Sequence, residues 1–217
     1  MSEQQIKVTL FDVGNVIMRA THEITVAILR DYGIPFSAAV RFYVNDDYPD
    51  FARGKITGEE FGKRTRRRIG GLSVAQIRVA HDAHMYDVDE GTIAILDELR
   101  DRGITIAFAT DTNEWQTARE RELVNLAVYG RAFRSNELGA LKADGGVFER
   151  ILAELGEDPQ RVLFVDDSPE KIAMAAALRM PTHWFRSGLL GAASLHSELT
   201  ARGLIEEVRQ WPRQDQP

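Results

Sequence analysis

The chain has 217 residues, with 33 acidic and 27 basic side chains and a formal net charge of -6. The acidic excess argues against a nucleic-acid partner, because such proteins usually carry a basic face. Without cysteine, disulfides, thiolate metal sites and a cysteine nucleophile are excluded. No run approaches the roughly 18 apolar residues needed to span a bilayer, and the first residues lack the basic-then-apolar pattern of a secretory signal. We therefore expect a cytoplasmic protein without a membrane partner, either a monomer or a homodimer.

Short runs rich in β-branched and apolar residues predict the strands of a parallel sheet. They lie at residues 6–11, 104–109, 162–165 and, more weakly, 182–185. Segments with helical spacing of apolar residues lie between or after them, at 90–102, 146–155 and 169–178. This alternation is typical of a doubly wound α/β fold, in which helices cover both faces of a parallel sheet.

The first two predicted strands are separated by far more chain than a crossover connection needs. This intervening stretch shows helical patterns and no convincing strand. Thr57 with Glu60, and Ser73 with Gln76, each match a capping box, in which two side chains satisfy free amides of a first helical turn. Two helices should therefore begin just after Thr57 and Ser73.

The long insertion divides the chain into two predicted domains. We interpret residues 18–88 as an inserted α-helical cap. Residues 1–17 and 89–210 would then form the core domain. The last residues, 211–217, are polar and should form a flexible tail.

Three of the predicted strands run directly into polar or acidic residues, namely Asp12, Thr110 and the pair Asp166 and Asp167. The carboxyl ends of parallel strands converge on one crevice, which is where such folds bind ligands. Carboxylates gathered there would repel one another without a cation, and oxygen ligands favour a hard ion such as Mg²⁺. Lys142, which precedes a predicted helix, could bring a second positive charge.

Four motifs resemble, in order and spacing, those of the haloacid dehalogenase (HAD) superfamily. They are residues 11–16 (FDVGNV), 109–113 (ATDTN), 142–148 (KADGGVF) and 165–170 (VDDSPE). The motifs span most of the chain, and the insertion occupies the position of the family's first (C1) type of cap. The resemblance implies a Rossmann-like core, a Mg²⁺ cofactor and hydrolysis of a small phosphorylated molecule.

The resemblance also implies a role for each polar residue. Asp12 would attack the phosphorus and form an aspartyl-phosphate, which splits one difficult displacement into two easier ones. Thr110 would donate a hydrogen bond to a phosphoryl oxygen, and Lys142 would stabilise the charge that develops in the transition state. The phosphate-binding set is Thr110, Asp111, Lys142 and Gly14. The Mg²⁺ ligands are Asp12, the Gly14 carbonyl, Asp166 and Asp167.

Four positions depart from the family pattern, namely Gly14, Asp111, Ala143 and Lys171, and the first two bear most on the chemistry. Phosphatases of the family usually carry a second aspartate, as general acid and base, where this chain has Gly14, and such a group is worth about 10² to 10⁴ in rate. A substrate with an acidic leaving group would tolerate the loss, another residue such as Asp167 could supply the proton, or the protein could be slow or inactive. Asp111 stands where asparagine is common, so it adds negative charge beside an anion site.

The predicted cap carries one further resemblance. Residues 51–61, with RGKIT at 53–57, are similar to a segment of the branch that dephosphorylates α-glucose 1-phosphate. We therefore expect hydrolysis of a small phosphomonoester such as a sugar phosphate. A 2-haloacid dehalogenase remains an alternative, because halide leaves without a proton. A catalytically weak or inactive binding protein of the same fold is a second alternative.

Two other clusters of polar side chains lie in the predicted cap. His81 and His84 share a helix, but no third ligand is evident nearby, so packing within the cap or exposure to solvent is favoured over metal binding. The basic run at residues 63–68 is interpreted as a solvated helix face. One of its arginines reaching the crevice is the alternative.

Overall fold

The computed structural model describes residues 5–188 and 190–206. Its strands are β1 (Val8–Phe11), β2 (Met18–Ala20), β3 (Met85–Val88), β4 (Thr105–Thr110), β5 (Gly130–Arg134), β6 (Val162–Asp166) and β7 (Thr182–Trp184). Its helices are α1 (His22–Asp31), α2 (Phe36–Ala39), α3 (Asp47–Ala52), α4 (Gly58–Ile69), α5 (Val74–Asp82), α6 (Glu90–Asp101), α7 (Glu114–Leu123), α8 (Ser135–Leu138), α9 (Val147–Leu155), α10 (Pro169–Ala177) and α11 (Gly191–Ala201).

The main sheet is parallel throughout, with the strand order β5-β4-β1-β6-β7. Side chains alternate across it: Phe11 packs into an apolar cluster on one face, and Val8 and Leu10 pack into a second cluster on the other. Helices α6 and α11 contribute to the first cluster, and α9 and α10 border the second. The doubly wound prediction is therefore confirmed.

One strand of the sheet was not predicted from the sequence. β5 has the sequence GRAFR, and its charged and small residues do not give the apolar run by which the other strands were found. It is an edge strand that pairs with β4 alone, and Phe133 is its one buried residue, so polar side chains are tolerated there. A Cβ at Gly130 would lie 1.9 Å from the carbonyl oxygen of Ile106, so glycine is needed for this close approach of the backbones.

The prediction that the insertion holds no strand was wrong. β2 and β3 pair antiparallel at its two ends, with Met18 opposite Val88. Both strands are short and partly exposed, and residues such as Tyr86 and Asp87 interrupt the apolar pattern. The pair brings the two connections between the core and the insertion side by side.

Both predicted helix starts are observed. Ser73 and Gln76 form the full capping box at α5. At α4 the Thr57 hydroxyl accepts the amide of Glu60, but the Glu60 carboxylate accepts from Arg64 at 2.6 Å instead of returning to the cap residue. The hydrogen bond from the Thr57 amide to the Glu60 side chain is thus replaced by an ion pair on the helix surface, which also stabilises the helix.

Helices α1 to α5 enclose an apolar cluster of their own. Its buried members include Leu29, Phe42, Phe61 and Ile77, and it also contains Trp115 from α7. We propose this cluster as the core of the cap over residues 18–88, with Trp115 as the contribution of the core domain. The predicted tail, 211–217, lies outside the described residues, as do residues 207–210. Nowhere in the described ranges is there a helix with the length and apolar character that a membrane span requires.

Candidate active site

The carboxyl ends of β1, β4 and β6 open into a cleft of about 210 Å³ between the sheet and the insertion. Asp12, Thr110, Asp166 and Asp167 all line it, as the sequence predicted from their positions at the ends of strands. Lys142 lines it too, from the loop that precedes α9. The parallel register of the sheet is what brings residues so distant in sequence to one place.

Lys142 bridges two of the carboxylates. Its ammonium donates to Oδ1 of Asp12 and to Oδ2 of Asp166, both at 2.7 Å. Relative exposure is 7% for Asp12, 5% for Lys142 and 1% for Asp166. Charges buried this deeply are tolerated only when they are paired, so the three side chains form one electrostatic unit.

The pKa values follow from this packing. Burial raises the pKa of Asp12, the Lys142 ammonium lowers it and the Asp166 carboxylate raises it again, so that it lies at about 7. Burial alone would lower the pKa of Lys142, but the carboxylates of Asp12 and Asp166 outweigh burial and raise it above its ordinary value. Lys142 is therefore cationic at neutral pH and Asp12 lacks full charge compensation.

The third acid completes a possible cation site. Carboxylate oxygens of Asp12, Asp166 and Asp167 lie within 4.8 Å of one another. Burial and the neighbouring Asp166 carboxylate raise the pKa of Asp167. Three carboxylates against the single charge of Lys142 leave a negative excess in a buried place, and an all-oxygen donor set suits Mg²⁺. The residues present therefore fit the predicted metal.

Gly14 lies beside the proposed nucleophile. A Cβ built on it would meet one heavy atom within 4 Å, Oδ2 of Asp12, at 3.8 Å. Its φ is not positive, so the backbone does not require glycine there. A side chain at this position would thus extend along the side of Asp12 that Lys142 leaves uncovered.

Asp111 lies at the cleft but holds the backbone. Its Oδ1 accepts the amide of Lys142 at 2.7 Å. The carboxylate that departs from the family pattern therefore fixes the loop that carries the lysine. The predicted role of Asp111 in binding phosphate directly remains a prediction.

The insertion supplies the opposite wall of the cleft, with residues that the sequence did not single out for this role. His84, Met85 and Ala20 lie there, together with Gln116 of α7. His84 bonds the His81 carbonyl through Nδ1, so that nitrogen carries the proton, and Nε2 accepts from Gln116 at 3.0 Å. Burial lowers the pKa of His84 to about 3, which keeps this wall neutral.

The other polar clusters of the insertion serve packing. His81 is fully buried and its ring lies 5.2 Å from that of Trp115, so of the two expected alternatives, packing and exposure, it adopts packing. Arg64 and Arg68 both bind Asp47, at 3.1 and 2.6 Å. In the described part of the chain, no arginine of the basic run lines the cleft.

A family model for haloacid dehalogenase-like hydrolases matches residues 6–179. The chain belongs to this family. The match covers all four motifs and the insertion between the first two of them, so the resemblance seen in the motifs is confirmed over most of the sequence.

Solved structures of the family share the fold. One is the HAD family enzyme bt-2542 from Bacteroides thetaiotaomicron, crystallised as a magnesium complex, with 21% identity over 86% of this chain and 96% of that one and a TM-score of 0.78. A predicted HAD-like hydrolase from Porphyromonas gingivalis has 20% identity, 90% and 98% coverage and a TM-score of 0.76. A HAD phosphatase from Thermococcus onnurineus has 19% identity, 89% and 98% coverage and a TM-score of 0.65.

Proposed function

We propose that this protein is a Mg²⁺-dependent phosphatase that hydrolyses a small phosphomonoester through an aspartyl-phosphate on Asp12. The observation that carries the proposal is the gathering of three carboxylates around Lys142 at the ends of the parallel strands. The site needs a further cation and can present one carboxylate oxygen to a substrate. No other described set of at least three acidic or histidine side chains comes close enough to hold a metal.

Two of the similar structures support this proposal. The bt-2542 enzyme was also crystallised with magnesium and inorganic phosphate together, at 22% identity and a TM-score of 0.77. The Thermococcus onnurineus protein is named a phosphatase. Both share the fold with this chain, and the acidic residues that would hold a metal lie at the place where such folds bind ligands.

The roles of the side chains follow from their positions. Mg²⁺ held by Asp12, Asp166, Asp167 and the Gly14 carbonyl would neutralise the phosphoryl oxygens, so that an anionic nucleophile can approach. Asp12 would attack the phosphorus through the oxygen that faces the cleft. Lys142, already bonded to Asp12, would orient the carboxylate and attract the equatorial oxygens as charge moves onto them.

Thr110 ends β4 and lines the cleft. Its hydroxyl would donate to a phosphoryl oxygen. Water would later hydrolyse the aspartyl-phosphate and return Asp12 to its starting state. The enclosing wall from the insertion would exclude bulk water during the first displacement.

The side chains around the cleft favour an acidic leaving group. Gly14 offers no proton, Asp167 is assigned to the metal in this proposal, and the ring proton of His84 is held by a backbone carbonyl. Glu120 of α7, which also lines the cleft, accepts from Arg134 at 2.6 Å. In a sugar 1-phosphate, an acyl phosphate or an aryl phosphate, the leaving group departs with little protonation of its oxygen. We therefore propose that the substrate is one of these phosphates, with a sugar phosphate as the favoured member.

A 2-haloacid dehalogenase is the alternative that Gly14 permits. There Asp12 would attack carbon and displace halide, which leaves without a proton. Such a displacement has no use for a divalent cation, whereas Asp166 and Asp167 add two acids beside the nucleophile. The acidic cluster therefore favours the phosphatase.

A phosphate-release screen tests the proposal. Sugar 1-phosphates, sugar 6-phosphates, an acyl phosphate and an aryl phosphate would be assayed with Mg²⁺ and with a chelator, together with halide release from a 2-haloacid. We expect Mg²⁺-dependent turnover of the substrates with acidic leaving groups, lost in Asp12→Asn and kept in the control Asp101→Asn, which changes an exposed aspartate on α6. Halide release that persists in the chelator would establish the dehalogenase, and binding of a phosphate analogue without turnover of any compound would indicate the binding protein.

A further inference from the structure

Lys142 sits on a loop that is not part of the sheet or of a helix. The loop covers residues 139–146, between α8 and α9. Its backbone is held by two carboxylates: Asp111 accepts the amide of Lys142 at 2.7 Å, and Oδ2 of Asp144 accepts the amide of Leu141 at 2.8 Å. The position of the ammonium therefore depends on where these two acids are fixed.

Asp144 is in turn held from the insertion. Arg53 donates through Nε to Oδ2 and through Nη2 to Oδ1, each at 2.8 Å. A two-pronged pair of this kind fixes orientation as well as distance. The Arg53 guanidinium and the Leu141 amide lower the pKa of Asp144 to about 2, so the carboxylate stays ionised at any working pH.

Arg53 belongs to a latch segment, residues 52–58, which joins α3 to α4 and rests on the core. The Ala52 carbonyl accepts from Ser135 at 2.7 Å, and the Gly58 amide donates to Glu114 at 2.8 Å. A Cβ at Gly54 would lie 2.2 Å from the Asn136 carbonyl oxygen, so the backbones touch there. The latch segment thus lies against the core on both sides of Arg53.

We infer that Arg53 is a positioning residue, through which docking of the latch segment on the core fixes the loop that presents Lys142 to Asp12. The inference rests on the proposed function and adds a role for the RGKIT segment. Among the described residues, Arg53 is not one of those that line the cleft, so it would act through Asp144 and not by touching substrate. Docking of the cap on the core and positioning of the Lys142 ammonium would then occur together.

Arg53→Gln tests this inference by two measurements. Steady-state kinetics on the best substrate of the phosphate-release screen should show a fall in kcat of about 10²-fold, as for a small misplacement of a catalytic group, with KM changed by less than about threefold. Amide hydrogen exchange should rise at Leu141 and Lys142. Asp144→Asn should reproduce both effects, and the double variant should lose no more than Asp144→Asn alone, because Arg53 acts on the loop through Asp144.

Arg64→Gln is the matched control, because Arg64 is also a cap arginine bound to an acid, but its partners lie within the cap. It should change neither kcat nor exchange in the loop. An unchanged kcat, unchanged exchange at residues 141 and 142, or a rise in KM alone in Arg53→Gln would each overturn the inference. If the unmodified protein turns over no phosphate ester, the proposed function fails, and hydrogen exchange alone then decides whether Arg53 orders the loop.

Discussion

The two walls of the cleft differ in how they carry charge. The core wall holds buried carboxylates and a buried lysine in direct contact, so its electrostatic energy depends on how completely these charges compensate one another. The cap wall holds His84, which is neutral and hydrogen-bonded to Gln116 of α7. Chemistry therefore belongs to the wall built from strand ends, and the cap contributes shape, neutral contacts and fixation. Substitutions in the two walls should therefore have different consequences for the protein.

The largest effect is a loss of stability, expected at the contact between the cap and the core. Trp115 comes from the core but packs among cap aromatics, 5.3 Å from Phe51 and 5.6 Å from Phe61 between ring centroids. Trp115→Ala should lower the free energy of unfolding by about 3 to 5 kcal/mol, as for other buried aromatic truncations. Urea unfolding measures the loss, and hydrogen exchange locates it.

Phe148→Ala is the comparison for that variant, because Phe148 is equally buried but packs on Phe164 under the sheet. We expect a similar total loss. Exchange in α4 and α5 should rise for Trp115→Ala and not for Phe148→Ala. Equal patterns in the two variants would show that the cap is not separately stabilised by Trp115.

On the core wall, Lys142→Met should reduce kcat by about 10² to 10³, the cost of removing one preorganised group that stabilises the transition state. The matched change Lys63→Met, in a half-exposed lysine paired with Glu59 on the cap, should leave the rate unchanged. Steady-state phosphate release measures both. A loss below about tenfold in Lys142→Met would contradict the assignment of charge stabilisation to this wall.

Restoring the family's second acid should broaden the substrate range. Space for a Cβ at residue 14 is available, so Gly14→Asp should fold, and a positioned proton donor should raise the rate on sugar 6-phosphates by up to about 10²-fold. Rates on an aryl phosphate should change little, because that leaving group needs no proton. Gly14→Asn has the same shape without the acid and should not gain. Equal gains in both variants would remove proton donation as the explanation.

The smallest effect is expected on the pH dependence of stability, through the histidines of the cap. Burial lowers the pKa of His22, His81 and His84 below the ordinary value of 6.5, and that of His84 to about 3. At these histidines the unfolded chain therefore binds protons that the folded cap does not bind, so their contribution to the free energy of unfolding is complete above about pH 6.5 and decreases as the pH drops toward 3. Among the charged groups near these rings, Asp82 favours the protonated form of His81 and Arg78 opposes it.

His84→Gln should reduce that pH dependence, since it removes one of the side chains that bind a proton in the unfolded chain but not in the folded cap. Urea unfolding at pH 7 and pH 5 would compare the free energies of unfolding. We expect the variant to lose less stability between the two pH values than the unmodified protein. An equal or greater loss would mean that His84 does not contribute to the acid sensitivity of the cap.

Much of the core and of the candidate site could be predicted from the sequence. The apolar runs that became β1, β4 and β6 each end in a polar residue, and in a parallel sheet those ends must meet, so Asp12, Thr110 and Asp166 were found together. β2, β3 and β5 were missed, because short or edge strands are held by pairing with a neighbour and carry no continuous apolar pattern of their own.

The sequence by itself determined which acids the strand ends carry to the cleft, because local apolar periodicity decides where strands end and parallel pairing decides that those ends converge. Only the tertiary structure decided what those charges contact. The bridge from Lys142 to two acids, the grip of Arg53 on Asp144 and the insertion of Trp115 into the cap join residues far apart in the chain. Such contacts depend on how distant segments of the chain pack against one another, and no local pattern of residues encodes that geometry.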